Sequence, residues 1–403
     1  MSAAHAYEPA YANRVERMKA SEIRELLKLL DKPGIISFAG GIPDPMLFPV
    51  EAAAEAYARA LEESAATALQ YSVSEGYAPL RGWIARHMAE QGVPATPENI
   101  VVTAGSQQGL DFLGKLLISH GDTVLTTTPT YLGALQAFSA YEPRYDAIRP
   151  EEGNRSPDSF SRSAAAAGGR VKFAYVVPDF ANPTGQTLSL AARQNLLSLA
   201  RDFNAPILED AAYRDLRFEG EPLPSLQALD VAAMGSLEAS RVAYLGTFSK
   251  TVAPGLRVAW VCASRAIIRR LVLIIQASEL NVSVINQMVM ERIASERHEV
   301  LVARARGHYR IKRDAMLAAL QAHMPPGVTW TRPEGGLFVW ATLPEGVDGA
   351  ALLKRAITEA GVAFVPGGAF HPDGSGANTI RLSYSLPKPE AITEGIRRLA
   401  SLI

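Results

Sequence analysis

The chain has 403 residues, 48% of them hydrophobic and 20% charged, enough apolar material for a large core and for two domains. Forty basic residues stand against forty-one acidic ones, a formal net charge of -1 with no Lys/Arg cluster, which excludes a general electrostatic footprint for nucleic acid. The single cysteine, Cys262, excludes an intrachain disulfide and a cysteine-built zinc site, and it fits a reducing compartment.

The N-terminal stretch MSAAHAYEPAYANRVERMKA lacks the continuous apolar core of a signal peptide, so a cytoplasmic location is expected. Residues 14–30 read as an amphipathic helix, and the Gly/Pro-rich connector FAGGIPDPMLFP follows over 38–49. From about 50 to 300, helical segments alternate with short apolar runs. These are NIVVT (99–103), DTVLTT (122–127), VKFAYVV (171–177), PILED (206–210), VAYLG (242–246) and RVAWVCA (257–263). Strands buried on both faces and separated by helices predict an α/β architecture around a mainly parallel sheet. The polar segment 151–170 is expected on the surface, and the pattern is almost wholly helical over 265–323. The run LVLIIQA (271–277) is far too short to span a bilayer, so no membrane partner is expected. The last eighty or so residues give short strands around GLFVWATL and TIRLSYS, with helices at 350–360 and 387–402. The chain thus divides into an N-terminal arm (1–48), a large domain (49–300) and a smaller α+β domain (301–403).

In open α/β sheets, ligands collect beyond the carboxyl ends of the strands, and several polar clusters fall there. After NIVVT, residues Gly105, Ser106 and Gln107 open a helix; free N–H groups and the helix dipole suit a phosphate, although Ser106 could simply be an N-cap. The spacing is not that of a Walker A loop, and no GxGxxG follows the first strands. Tyr131 follows DTVLTT, and PDFANPTG after VKFAYVV brings Asn182, Pro183 and Gly185 into a tight loop. Asp210 ends PILED, where an isolated carboxylate is costly without a cation, and Tyr213 lies three residues on. GTFSKTVAPGLR sets Lys250 on a polar connection between two apolar strands, with Thr247, Ser249, Thr251 and Arg257 around it. Taken alone, each of these has a structural explanation: a turn, a packed ring, a buried ion pair, a solvated lysine. Together they describe one pocket with a phosphate cradle, an aromatic ring, a carboxylate and an amine. Such a set suits pyridoxal phosphate: the carboxylate keeps the ring nitrogen protonated, while the lysine bonds the cofactor and later moves a proton. No metal site is expected.

The motif set resembles the class I/II aminotransferases, the fold-type-I enzymes that use pyridoxal phosphate. The resemblance runs from about Ala20 to Arg398 and rests on the NPTG loop, Asp210 with Tyr213, Ser249-Lys250 with APGLR, and Arg381 in TIRLSYS. It implies a mainly parallel, seven-stranded-type sheet between helices, with a smaller α+β domain. Lys250 resembles the Schiff-base lysine, and Asp210 the partner of the pyridine nitrogen. Asn182 and Tyr213 would bond the phenolic oxygen, and Tyr131 would stack on the ring. The resemblance gives Gly105, Ser106, Gln107, Ser249 and Arg257 to the phosphate, with Thr247 standing where many relatives carry serine. Arg381 would grip the substrate α-carboxylate with two prongs, beside Asn182. Tyr71, in QYSVSEGYAPLR, matches a tyrosine that reaches the neighbouring subunit's phosphate, which implies a homodimer with shared sites and a substrate contact from Tyr71.

The segment 20–49 is similar to the subgroup of 2-aminoadipate and kynurenine aminotransferases, in which a mobile N-terminal helix covers the site. There Arg24 would meet a distal carboxylate or swing aside, and Gly40 and Gly41 would let the backbone approach the substrate. The implied reaction moves an amino group from an L-amino acid of aminoadipate, aromatic or branched-chain type to a 2-oxo acid, with 2-oxoglutarate as the expected acceptor. The alternative on the same scaffold is a lyase or decarboxylase, because the motifs fix the cofactor better than the bond that is cleaved. A transcription regulator of related fold is disfavoured: the residues before the first family match carry no helix-turn-helix and no basic face.

Overall fold

The computed structural model describes residues 10–18 and 34–403. A 3₁₀ turn occupies Asn13–Arg17; most of the helix expected over 14–30, with Arg24, lies outside the described residues. The chain then runs through β1 (Ile36–Ser37), α1 (Val50–Ala68), α2 (Ala78–Glu90), β2 (Ile100–Thr103), α3 (Ser106–Leu117), β3 (Thr123–Thr127) and α4 (Leu132–Ser139). Next come β4 (Arg144–Ile148), α5 (Pro157–Ala166), β5 (Val171–Val176), α6 (Leu190–Phe203), β6 (Ile207–Asp210), α7 (Leu226–Met234), β7 (Val242–Thr247) and β8 (Ala259–Cys262). The C-terminal part holds α8 (Arg265–Ser278), α9 (Val284–His323), β9 (Thr329–Trp330), β10 (Phe338–Thr342) and α10 (Gly349–Arg355). It closes with β11 (Val362–Ala363), β12 (Val365–Pro366), β13 (Thr379–Ser383) and α11 (Pro389–Ala400).

Seven strands form one sheet in the order β2-β8-β7-β6-β5-β3-β4. Pairing is parallel from β7 to β4, and only β8 runs against its neighbours. The mainly parallel sheet expected from two-sided burial is therefore present. Its two faces feed different clusters: Val101, Leu245 and Val261 pack on one side, while Val102, Tyr244 and Trp260 pack on the other. That alternation is the period of two expected of a strand with both faces covered. Each such side chain, when fully buried, stabilises the fold by roughly 1.5–3 kcal/mol.

Strand β4 was not expected. It lies at the sheet edge, and of RYDAI only Ile148 is buried, so it lacks the apolar run that marks the other strands. The polar segment 151–170 likewise contains α5, whose buried face is only Phe160 and Ala164 and whose Ser156 caps the helix by accepting from Ser159 N–H.

The second sheet is antiparallel, β12-β13-β10-β9, and β1 pairs in parallel with β11 beside it. Helix α9 is continuous over 40 residues, passing position 300 and packing on α1, α2 and α11. Among the described residues, no helix is long and apolar enough to cross a membrane.

Candidate active site

The carboxyl ends of β5, β6 and β7 and the first turn of α3 open onto one cavity of about 450 Å³. Its walls include Ser106, Gln107, Tyr131, Asn182, Asp210, Tyr213, Thr247, Ser249, Lys250 and Arg257. Ten of the residues singled out in the sequence thus meet in one place. A larger hollow of about 620 Å³, between α2 and α9 near Trp83 and His298, contains none of them.

Lys250 follows β7, and Asp210 ends the neighbouring strand β6. The Lys250 Nζ donates to Gly41 O at 3.1 Å and lies 5.8 Å from the centre of the Tyr213 ring. Burial foremost, then the Arg381 charge, lowers its pKa to about 8, against the pull of Asp210. Asp210 is 3% exposed. Its Oδ2 accepts from the Tyr175 hydroxyl at 2.9 Å and its Oδ1 from Ala212 N–H at 3.3 Å. Among the described residues it has no ion pair, so the plain reading of a structural salt bridge does not hold. Burial pushes its pKa up to about 6, and these hydrogen bonds and Lys250 hold it back only in part.

At the other end of the cavity, Gly105 stands before α3 with φ of 86°, and no side chain caps the helix. Ser106 is the first helical residue rather than the N-cap, so the first N–H groups of α3 face outward with no partner within the helix. A Cβ at position 105 would lie 2.0 Å from the Arg257 guanidinium, so only glycine lets these groups converge. Arg257 donates to Ala104 O at 2.9 Å and remains exposed. Thr247 Oγ1 and Ser249 Oγ are 2.9 Å apart. The Tyr131 ring lies over Gly133, where a Cβ would sit 2.4 Å from it, and Gln107 donates to Gly133 O at 2.6 Å.

Arg381, on β13, is 1% exposed and lies behind Asn182 rather than on the cavity wall. Its guanidinium carbon lies over the Phe338 ring, 4.4 Å from its centre, and over that of Phe370 at 5.1 Å. It donates to Asn182 Oδ1 and to Ala39 O, both at 2.8 Å, while its buried Nε has no partner among the described residues. Burial lowers its pKa to about 10, so it stays charged at neutral pH. Asn182 Nδ2 in turn donates to the Tyr213 hydroxyl at 3.3 Å. Gly40 is buried, and Gly41 presses on Phe338, where a Cβ would approach to 2.7 Å.

Two candidates are not part of this constellation within one chain. Tyr71 is 78% exposed and does not line the cavity. Arg24 lies outside the described residues. Conversely, sequence reading missed Tyr175, Gly133, Phe338 and Phe370. Tyr175 had a signal: a hydroxyl in the fully buried half of its strand needs a buried partner. Phe338 and Phe370 had none, since ordinary core residues look the same.

These residues fit pyridoxal phosphate on the chain's own terms. A glycine-opened helix start faces two hydroxyls and a guanidinium, which suits a phosphate. Among the described residues, a buried carboxylate at the cavity wall with no cation suits a protonated ring nitrogen.

The family model described as aminotransferase class I and II matches residues 33–399. A 2-aminoadipate transaminase of Thermus thermophilus is 44% identical over 97% of this chain and 95% of its own length. Aromatic-amino-acid aminotransferase 1 of Thermococcus litoralis is 42% identical over 98% of this chain and 94% of its own. The crystal structure of the Thermus thermophilus alpha-aminoadipate aminotransferase, complexed with N-(5'-phosphopyridoxyl)-L-leucine, superposes with a TM-score of 0.88 at 42% identity. That match covers 98% of both chains.

Proposed function

The chain belongs to the class I and II aminotransferases and transfers amino groups between amino acids and 2-oxo acids; on that premise we propose that it uses pyridoxal phosphate held at Lys250. The amino donor is an L-amino acid of aminoadipate, aromatic or branched-chain type, and the acceptor is 2-oxoglutarate. The observation that carries the reading is the Lys250 amine, held in the cavity by a backbone carbonyl rather than a carboxylate, near Asp210, which has no ion pair among the described residues. Phosphopyridoxyl-leucine in the related Thermus enzyme supports both the cofactor and an apolar donor.

Bound there, pyridoxal phosphate would supply a carbonyl carbon for the amine and a ring able to accept electrons from the substrate Cα. The α3 N-terminus, Ser106, Gln107, Thr247, Ser249 and Arg257 would hold its phosphate, and Tyr131 would cover the ring. Asp210 would accept a hydrogen bond from the protonated ring nitrogen, whose positive charge would sit beside the buried carboxylate. Asn182 and Tyr213, already bonded to each other on the cavity wall, would hold the ring through its phenolic oxygen. Arg381 binds the substrate α-carboxylate, its guanidinium held in place by Asn182, Ala39 O and the rings of Phe338 and Phe370. Lys250, with a pKa of about 8, has a usable fraction of free amine near neutrality and moves the proton at the substrate Cα.

Ile42, Leu132 and Val177 give the rest of the cavity an apolar wall, with Gln136 as a polar exception. That lining suits leucine-like and aromatic side chains, and Arg24 would serve the dicarboxylic ones. Tyr71, with the exposed Leu69, Val73 and Leu280, forms an apolar surface that a second copy of the chain would cover in a homodimer. Tyr71 would then reach the second copy's phosphate site.

The test is an absorbance titration of the purified protein with amino acids in the absence of any oxo acid. Conversion of the cofactor band to that of pyridoxamine phosphate, reversed by 2-oxoglutarate, is expected for several donors. Release of pyruvate and ammonia, or of carbon dioxide, would move the reaction to elimination or decarboxylation. In Arg24→Ala, KM should rise more for dicarboxylic donors than for leucine or phenylalanine; equal changes would remove Arg24 from the site.

A further inference from the structure

Residues 38–44 cross the site as a strap tied at both ends. At the first end, Phe38 N–H donates to Ala363 O at 2.7 Å and Phe38 O accepts from Ser383 N–H at 2.8 Å. In the middle, Ala39 O accepts from Arg381 and Gly41 O from Lys250. At the far end, Asp44 N–H donates to the Tyr309 hydroxyl at 2.9 Å, and Asp44 Oδ1 accepts from Met46 N–H at 3.1 Å. The Asp44 Oδ2 receives the Lys312 ammonium and lies 2.8 Å from His308 Nε2.

Lys312 projects from α9 with its side chain 5% exposed. Besides Asp44, its Nζ donates to Ser385 O at 2.9 Å and Leu386 O at 3.1 Å. One ammonium therefore spends its three protons on two segments. One is the strap that presents an acceptor to Lys250; the other is the chain just beyond β13, the strand that carries Arg381. A lone carbonyl on a Gly-Gly stretch has little else to fix it.

We propose that Lys312, through Asp44, is a positioning residue for the reaction: it sets the strap so that the Gly41 carbonyl holds the Lys250 amine. The inference rests on Lys250 being the amine that carries the cofactor. A carbonyl that accepts from the amine favours its protonated form, so loosening the strap makes the amine easier to deprotonate. The charges that act most on Lys250 are Arg381, Asp210 and Arg257, and the Tyr213 ring also faces it. Neutralising the Asp44–Lys312 pair removes none of these groups.

The experiment follows the rate at which the full-length, cofactor-free chain captures pyridoxal phosphate, read by absorbance across pH. Asp44→Asn/Lys312→Met removes both charges together, avoiding an unpaired one, and Asp44→Asn/Lys312→Gln serves if that variant does not fold. Either should shift the midpoint of capture down by about 0.5–1 pH unit, the size expected from one hydrogen bond. Gln227→Leu is the control for plain loss of stability. Gln227 is buried and bonds Val242 O and Cys262 O, away from the strap. It should lower Tm and leave the midpoint where it is. An unmoved midpoint in the folded Asp44 variants, or an equal shift in Gln227→Leu, would overturn the proposal. Failure of the wild-type chain to capture the cofactor at all would instead overturn the reading of Lys250.

Discussion

Lys250 and Lys312 are both taken largely out of water, yet the two regions treat them in opposite ways. On α9, Lys312 meets a carboxylate and two carbonyls, and nothing about it is left over. At the strand ends, Lys250 has one carbonyl at 3.1 Å. The acids repeat the contrast. Asp179, just beyond β5, takes Arg193 at 2.7 Å, Arg214 at 3.1 Å and Arg217 at 3.4 Å. Asp210, ending the next strand, takes one phenol and one N–H and, among the described residues, no cation. Where pairing is complete, a buried charge serves the structure. Where it is left incomplete, the protein carries a standing destabilisation that a bound group can relieve, which is why shifted pKa values cluster at functional sites.

Substitutions in the two regions should therefore separate activity from stability. Lys250→Ala should lower kcat by about 10³-fold or more, since it removes both the bonding amine and the proton carrier, while Tm holds or rises. Near-wild-type turnover would break the contrast at its centre. Asp179→Asn should behave in the reverse sense, losing about 3–5 kcal/mol of stability because three arginines are left without their shared anion. A denaturant titration reads this directly.

Asp210→Asn sharpens the comparison through pH. With a folded value of about 6 against an ordinary value of 3.8, the carboxyl of the cofactor-free protein is favoured in its protonated form. The stability tied to that form is fully present below pH of about 4 and is lost as pH rises through about 6. Asp210→Asn should thus match the wild type near pH 4 and exceed it by about 1–3 kcal/mol at pH 7, while losing activity. A destabilised Asp210→Asn at pH 7 would place Asp210 with Asp179. The smallest effect is expected from Tyr175→Phe. Losing its hydrogen bond should raise the Asp210 pKa further and lower cofactor-free stability at pH 7 by about 0.5–1.5 kcal/mol, with little change at pH 4.

The parts legible in the sequence were those with a local signature. Two-sided strands appear as unbroken apolar runs, so the polar residues ending them, Asn182, Asp210 and Lys250, stood out at once. Strand β4 did not, because an edge strand with one buried residue has no such run. The surroundings of Arg381 were equally hidden: Asn182, Phe338, Phe370 and Ala39 converge on it from four distant stretches of chain. The same is true of Lys312 and Asp44, which are 268 positions apart and share no periodicity. Tyr175 shows the middle case, since its strand was read correctly and its hydroxyl was overlooked.

The most direct test loads the wild-type chain with pyridoxal phosphate, reduces it with borohydride and maps the label by mass spectrometry. A single modified lysine, at Lys250, is the expected result. Label spread over surface lysines, or placed reproducibly on another one, would contradict the account, because the under-paired amine beside Asp210 would then not be where the chemistry happens.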